Sequence, residues 1–439
     1  MRTILNTTQV PPLAVGGQRS SAPLTPPVGF TELAAAAVAL LFILPQVTNF
    51  ADFLWLHDLS PYPPKYLLLG TLALTIPVAL RYPPRFGWSV WILMCLQLWR
   101  VADCFFMDRD SGVLGLDPLA QTGGATLFAL GCICIGGLAR AHPRILTIIG
   151  FVGIVICASS VALEWRGFFV SSLIEGRYAG FLGHPNEAGG AMAMMLILVM
   201  VSEPPAEAPA LVLGAAIGVA LLGTCLTLSR GGMATLLGVI LPFAALKLGR
   251  HPRRAAILLC LLALLAILAW QFLEWLGSEF LNKDVARRLA LFSGAGDLDI
   301  NDTNRLDVLL LSLQAAFQHP FTGYGTYGAF KMFAPHNQFL GVWLDNGLGG
   351  VLLFALGMGA LFVSAFRRNL IWAVGVGGLI LQTVVSHNLL ESKPFLVTWI
   401  LLATSTNSRR AEREQESRMK HAATSQVLSS PASSESRAT

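Results

Sequence analysis

Unbroken apolar runs of about 18 to 22 residues recur along this chain, and each is long enough to cross roughly 30 Å of hydrocarbon as a helix. About twelve lie near 31–49, 65–81, 87–107, 122–139, 145–163, 187–202, 208–228, 231–248, 254–275, 338–365, 370–390 and 394–405. The chain is 54% hydrophobic and only 13% charged, with a mean hydropathy of +0.63, which is more apolar surface than a soluble core could bury. A spanning β-barrel would show alternating segments of about ten residues, whereas AAILLCLLALLAILAW is continuous. The expected fold class is therefore all-α, a polytopic membrane protein.

The two ends differ in kind. Residues 1–28 are rich in Pro, Ser, Thr and Gly and lack an apolar stretch of their own, so they read as a disordered tail and not as a cleavable signal. Residues 29–405 form the membrane domain, and 406–439, with SRRAEREQESRMKH near their start, form a second disordered tail. Six of the seven cysteines (Cys95, Cys132, Cys134, Cys157, Cys225 and Cys260) fall in apolar spans, and Cys104 lies near a span end. They have no ligand spacing and read as packing residues.

Positive charge in short loops orients such a chain. Arg81 and Arg85, Arg140 and Arg144, then Lys247, Arg250, Arg253 and Arg254, then Arg367 and Arg368, and finally the basic tail all fall on one side, which is expected to be cytoplasmic together with both termini. The opposite connections, such as ADFLWLHDLSPYPP, carry Asp and little Lys or Arg and face outward. By the same alternation the long connection 276–337 is external. Such a length is unusual for a passive connector. Within it RLDVLLLSLQAAFQ spaces Leu306, Leu309, Leu310, Leu313 and Phe317 at three and four residues, an amphipathic helix able to lie on the membrane face or cap the bundle.

Three outward arginines call for explanation: Arg230, Arg288 and Arg305. Arg230 stands between two spans with almost no loop, where a charge is costly unless paired or solvated, so it either snorkels to the interface or holds an anion. Gly231 and Gly232 would let the backbone approach a ligand, and a helix N-terminus there suits a phosphate. Arg305 opens the amphipathic helix, where the helix dipole disfavours a cation unless an anion lies close. His336 follows Pro335 at the mouth of a span, where it could cap the helix or, titrating near neutrality, take a proton from a hydroxyl.

A second outward cluster is RYAGFLGHPNEAGG, with Arg177, His184 and Asn186. Asn186 can cap the following helix, and Glu187 favours its first turn. His387 with Asn388 repeats the His-Asn pair of His336 and Asn337 and reads as structural. GYGTYG (323–328) has the letters of a dinucleotide fingerprint without a strand-turn-helix context, so it reads as a glycine-rich turn. A metal hydrolase motif and a Walker sequence are both missing.

In that order, GFLGHPNEAGGAMAMM, TLSRGGMATLLGVI, NRLDVLLLSLQAAFQHPFTGYG and HNQFLGVWLDNGLGGVLLFALG resemble the O-antigen ligase and polymerase family of bacterial envelope glycan transferases, over about residues 175 to 365. The resemblance implies a C-type, lipid-dependent glycosyltransferase of about twelve helices in the bacterial inner membrane, with one large periplasmic loop and its active site facing the periplasm. It implies a glycan donor on undecaprenyl pyrophosphate and an acceptor that is lipid A-core or another glycan. His336, Arg305 and Arg230 would be catalytic, and Arg288, Arg177, His184, Asn186 and Asn337 would bind substrate. Apart from membrane lipids no further partner is implied: no metal, no cofactor and no nucleic acid. Ligase is preferred over O-antigen or exopolysaccharide polymerase. A multi-helix transporter, the alternative of another class, would place charges deep in spans, and Arg100 is the candidate for that.

Overall fold

A computed structural model of the chain describes residues 30–106, 118–174, 177–202, 209–248, 300–328, 335–386 and 388–406. Among these it is all-helical. In order come α1 (Phe30–Val47), α2 (Phe50–Leu56), α3 (Pro64–Arg81), α4 (Trp88–Phe106), α5 (Pro118–Ala141), α6 (Arg144–Trp165), α7 (Pro185–Val201), α8 (Pro209–Thr227) and α9 (Arg230–Leu248). The remainder are α10 (Ile300–Gln318), α11 (Gln338–Arg368), α12 (Leu370–Val385) and α13 (Lys393–Thr406), with a 3₁₀ turn at Gly180–Leu182. Eleven of the twelve expected spans coincide with helices, and the run 254–275 lies outside the described residues. Six of the helices are long and apolar enough to cross a membrane, and α7 and α12 are shorter apolar ones.

Two helices form the centre. Nearly all side chains of α7 and α13 are buried; α7 is apolar on every side beyond its first turn, and in α13 the hydroxyls of Thr398, Thr404 and Thr406 donate to carbonyls of their own helix. Close packing around them relies on small residues, because helices in lipid associate by contact and not by escape from water. A Cβ on Gly150 of α6 would meet the Met195 carbonyl of α7 at 2.5 Å, and one on Gly136 of α5 would meet Thr404 of α13 at 2.6 Å. Trp399, fully buried, donates from Nε1 to Ser89 Oγ at 2.7 Å and packs against Phe354 and Phe395. Cys132 and Cys157 are buried packing residues, and Cys260 is outside the described residues.

The helices alternate in direction, so contacts sort the connections into two ends. At one end Arg140 donates to the Pro83 carbonyl, Arg368 to the Ser405 carbonyl, and Thr147 pairs with Ser202. The described basic residues used for orientation lie there. At the other end Asn49 donates to the Phe181 carbonyl, Lys393 pairs with Asp52 at 3.2 Å, and Tyr327 bonds Gln121. Every described candidate site residue lies at this second end.

Two details depart from the sequence reading, and a third refines it. The segment after α1, read as loop, contains the short helix α2, whose Phe53 packs in tilted ring contacts with Phe169 and Phe181 of the 166–184 loop. α11 runs past its expected end and is broken at Gly347, whose φ of 63° and ψ of −168° no helix contains. The leucines of α10, for which the sequence leaves open a place on the membrane face, point outward: Leu309, Leu310, Leu313 and Phe317 are exposed, whereas Ser312, Ala315 and Ala316 are buried, the two alanines against Leu340 and Leu344. Small residues let α10 approach α11 closely, and the large ones are left outward.

Candidate functional site

The site is built on the ends of α6, α7, α8, α9 and α11. Glu164, one residue from the end of α6, is buried, and its carboxylate accepts four backbone N–H groups. Oε1 takes those of Ser171 and Ser172 at 2.7 and 2.6 Å, and Oε2 those of Ala179 and Gly180 at 2.6 and 2.8 Å. One charge thus gathers both arms of the loop that leads to α7. Sequence reading missed Glu164, although a lone acid in the apolar stretch VALEWRG was a signal for it.

That loop carries Arg177, which is buried. Its Nε donates to the Thr227 carbonyl at 3.2 Å, and its Nη2 donates to the Leu228 carbonyl at 3.1 Å and to Asn186 Oδ1 at 2.9 Å. Thr227 ends α8, where carbonyls lack helical partners, so a guanidinium satisfies them well. Arg177 therefore ties the α8–α9 turn to the start of α7. Asn186 is spent on this contact. The capping expected of it belongs instead to His184, whose Nδ1 accepts the Asn186 N–H at 3.2 Å. Pro185 at the first helical position makes that earlier cap natural.

His184 is half-buried. Burial, and after it the nearby charges of Arg177 and His336, lower its pKa from the ordinary histidine value. A nitrogen accepting an amide hydrogen bond is consistent with the neutral ring. His336, from the far end of the 276–337 connection, thus lies within electrostatic reach of His184 at the mouth of α7. His336 is exposed, and α11 is capped not by it but by Asn337, whose Oδ1 accepts the Leu340 N–H at 3.1 Å. The histidine side chain is thus not consumed by capping.

Arg230 is the first residue of α9, half-buried, with Ser229 Oγ accepting the Gly232 N–H at 3.1 Å just ahead of it. Of the two glycines that follow, Gly232 serves close packing of helix on helix. A Cβ on Gly232 would lie 2.7 Å from the Gly189 carbonyl carbon, and one on Gly189 would lie 2.7 Å from Ser229 Cβ. Backbone contact between α7 and α9 thus holds the start of α9 against the first turns of α7. Arg305 does not open its helix, which begins at Ile300; the polar stretch NDTN carries no apolar period to reveal that start. Its side chain, like Arg288 and His387 as a whole, lies outside the described residues.

GYGTYG is a turn. Gly323 and Gly325 have φ of 69° and 85°, and the elbow 320–328 is wedged against the break in α11. The Tyr324 N–H donates to the Leu344 carbonyl at 2.6 Å, while the Leu348 N–H and Trp343 Nε1 donate to the Pro320 carbonyl at 2.8 and 3.1 Å. A Cβ on Gly323 would lie 2.5 Å from the Asp345 carbonyl oxygen. Burial, followed by the neighbouring Glu391, pushes the Tyr327 phenol well above its ordinary pKa.

Chemically the assembled end offers arginines and imidazoles at helix termini, a set suited to an anionic group with a proton acceptor beside it. Among the described residues no three His, Cys, Asp or Glu side chains gather as a metal site. A family model described as O-Antigen ligase matches residues 213–355, a segment that contains Arg230, Arg305, the elbow, His336 and the break in α11. No curated protein matches the chain.

Proposed function

From the match of residues 213–355 to the O-Antigen ligase model, we propose that this chain is an O-antigen ligase-type transferase that moves a glycan from undecaprenyl pyrophosphate to a sugar hydroxyl of lipid A-core at the periplasmic face of the inner membrane. The observation that carries this reading is the half-buried His184 at the start of α7, within electrostatic reach of both the clamped Arg177 and the exposed His336, at the end of the bundle where Arg230 opens α9. A base next to cations is what departure of a pyrophosphate demands.

Arg230 and Arg305 hold the pyrophosphate, and their planar forks stabilise the charge that builds on it. His336 accepts the proton of the acceptor hydroxyl. As that oxygen bonds to the anomeric carbon from the opposite face, the bond from that carbon to the pyrophosphate oxygen breaks, and its electron pair leaves with undecaprenyl pyrophosphate. The anomeric centre inverts. Nucleotides are not needed, since the donor brings its own leaving group, and arginine takes the place of a metal cation. Arg288 and Asn337 are assigned to substrate contact, while Arg177, His184 and Asn186 hold the wall of the site.

Arg100 does not favour a transporter. It is buried, but it is paired with Asp345 and Glu391 near the site end of α4 and is not stranded along a pathway. The test is deletion of the gene followed by gels of envelope glycans and of carrier-linked glycans. Long polymer accumulating on undecaprenyl pyrophosphate, with bare lipid A-core, supports the ligase. Single repeats transferred to the acceptor would make the chain a polymerase, and an unchanged profile would overturn both.

A further inference from the structure

The loop between α12 and α13 uses three consecutive residues to tie two other elements together. The Leu389 N–H donates to Gln338 Oε1 at 2.6 Å, the Leu390 carbonyl accepts from Gln97 Nε2 at 2.6 Å, and the Glu391 carboxylate pairs with Arg100. Gln97 and Arg100 stand one turn apart on α4, so both point the same way. Gln338 opens α11 two residues after His336. Asn388, at φ 57°, starts the tight turn that presents these groups, a conformation that asparagine tolerates.

Arg100 reaches further. It is 3% exposed, its Nη2 lies 3.6 Å from Asp345 Oδ2 at the break in α11, and its carbonyl accepts from Thr326 Oγ1 at 3.2 Å. Thr326 also bonds Asp103 through its N–H and its hydroxyl. One turn of α4 thus grips the glycine-rich elbow, the α11 break and the 389–391 loop. The elbow precedes His336 in the chain and α11 begins just after it.

We propose that Arg100 is a positioning residue for the transfer reaction, acting through Glu391 and the 389–391 loop on Gln338, and so on where His336 meets the donor. This rests on His336 as the base. Burying a cation and two acids is expensive, and removing one partner leaves the others uncompensated, so the cluster responds sharply to a single change. Displacing a base by about 1 Å can cost roughly 10²-fold in rate with little effect on binding at a distance.

The experiment uses the full chain in nanodiscs, with Arg100→Met, Arg100→Lys and the milder Gln338→Leu, which removes the side-chain amide that accepts the Leu389 N–H. Single-turnover transfer from an undecaprenyl-pyrophosphate-linked glycan, binding of undecaprenyl pyrophosphate, and amide hydrogen exchange are measured on each. The expected result is transfer slowed by about 10- to 100-fold in Arg100→Met and Gln338→Leu, binding changed less than about threefold, and partial recovery in Arg100→Lys. Exchange should rise over 335–341 and stay unchanged over 144–165. Wild-type transfer rates in both variants, or loss of binding in proportion to rate, overturn the proposal. If the wild-type chain transfers nothing, the functional reading fails, and exchange alone judges the anchor: unchanged exchange at 335–341 in Gln338→Leu overturns it, and a local rise supports it.

Discussion

Arg177 Nη2 donates to Asn186 Oδ1 at 2.9 Å while the same nitrogen reaches the Leu228 carbonyl at 3.1 Å, so one buried guanidinium joins the start of α7 to the turn that precedes Arg230. Lysine keeps the charge but cannot serve three acceptors spread in a plane. Arg177→Lys is expected to lose about 2 to 4 kcal/mol of stability, the scale of one or two hydrogen bonds to a charged group. Chemical denaturation in mild detergent measures it. An unchanged midpoint would mean that the clamp holds nothing.

His184 gives the site a pH dependence of known sign. Its pKa is lowered in the fold by burial and then by Arg177 and His336, so the unfolded chain binds the proton more readily. The associated stability is complete above the ordinary histidine value of about 6.5 and is lost as pH falls below it. His184→Asn keeps a side-chain acceptor for the helix start and does not titrate. Thermal midpoints between pH 8 and 5 should fall more for the wild-type chain than for this variant; the reverse order would contradict the assignment.

Gly347 occupies a region of backbone space that is essentially closed to other residues, and a Cβ there would run into the Phe321 carbonyl. Gly347→Ala is expected to cost about 3 kcal/mol or more and to loosen the elbow. Gly359→Ala, in the same helix with open space around its Cα, should be neutral or stabilising by up to about 1 kcal/mol. Folded yield and thermal midpoint in detergent distinguish the two, and equal behaviour would refute the role given to the break.

Glu164→Gln keeps size and removes charge. It turns an –NH₂ toward two of the four amides that the carboxylate now accepts. A loss of about 2 to 4 kcal/mol is expected, with hydrogen exchange rising over 171–184. Exchange that stays at the wild-type level there would show that the loop is held by other means.

How much of this the sequence disclosed follows from what each feature depends on. Span positions were legible because apolarity over about 20 residues is a local property, and α7, α9 and α11 begin close to where expected. The break at Gly347 was not, because glycine inside a membrane helix is common and only the packing of Phe321 and Thr322 against it makes it a break. His336 and Arg230 could be singled out as charges or imidazoles at span ends. The caps could not be apportioned: whether His184 or Asn186 takes the amide depends on Arg177 having already engaged Asn186. Arg100 looked like an intruder in a span until Glu391, 291 residues later, and Asp345 came beside it. The leucines of α10 have the period of an amphipathic face, but period does not say whether that face meets protein or lies outward, as it does.

The central claim divides the labour at the site between binding and proton transfer, and one paired measurement bears on it most directly. Binding of undecaprenyl pyrophosphate and single-turnover transfer from the glycan it carries are compared in His336→Ala and Arg230→Lys, each first checked to be folded. The account predicts that His336→Ala binds within about threefold of the wild-type chain yet transfers about 10²- to 10⁴-fold more slowly, the scale of a lost general base. Arg230→Lys should lose binding and transfer together. Abolished binding in His336→Ala, with both properties intact in Arg230→Lys, would contradict it.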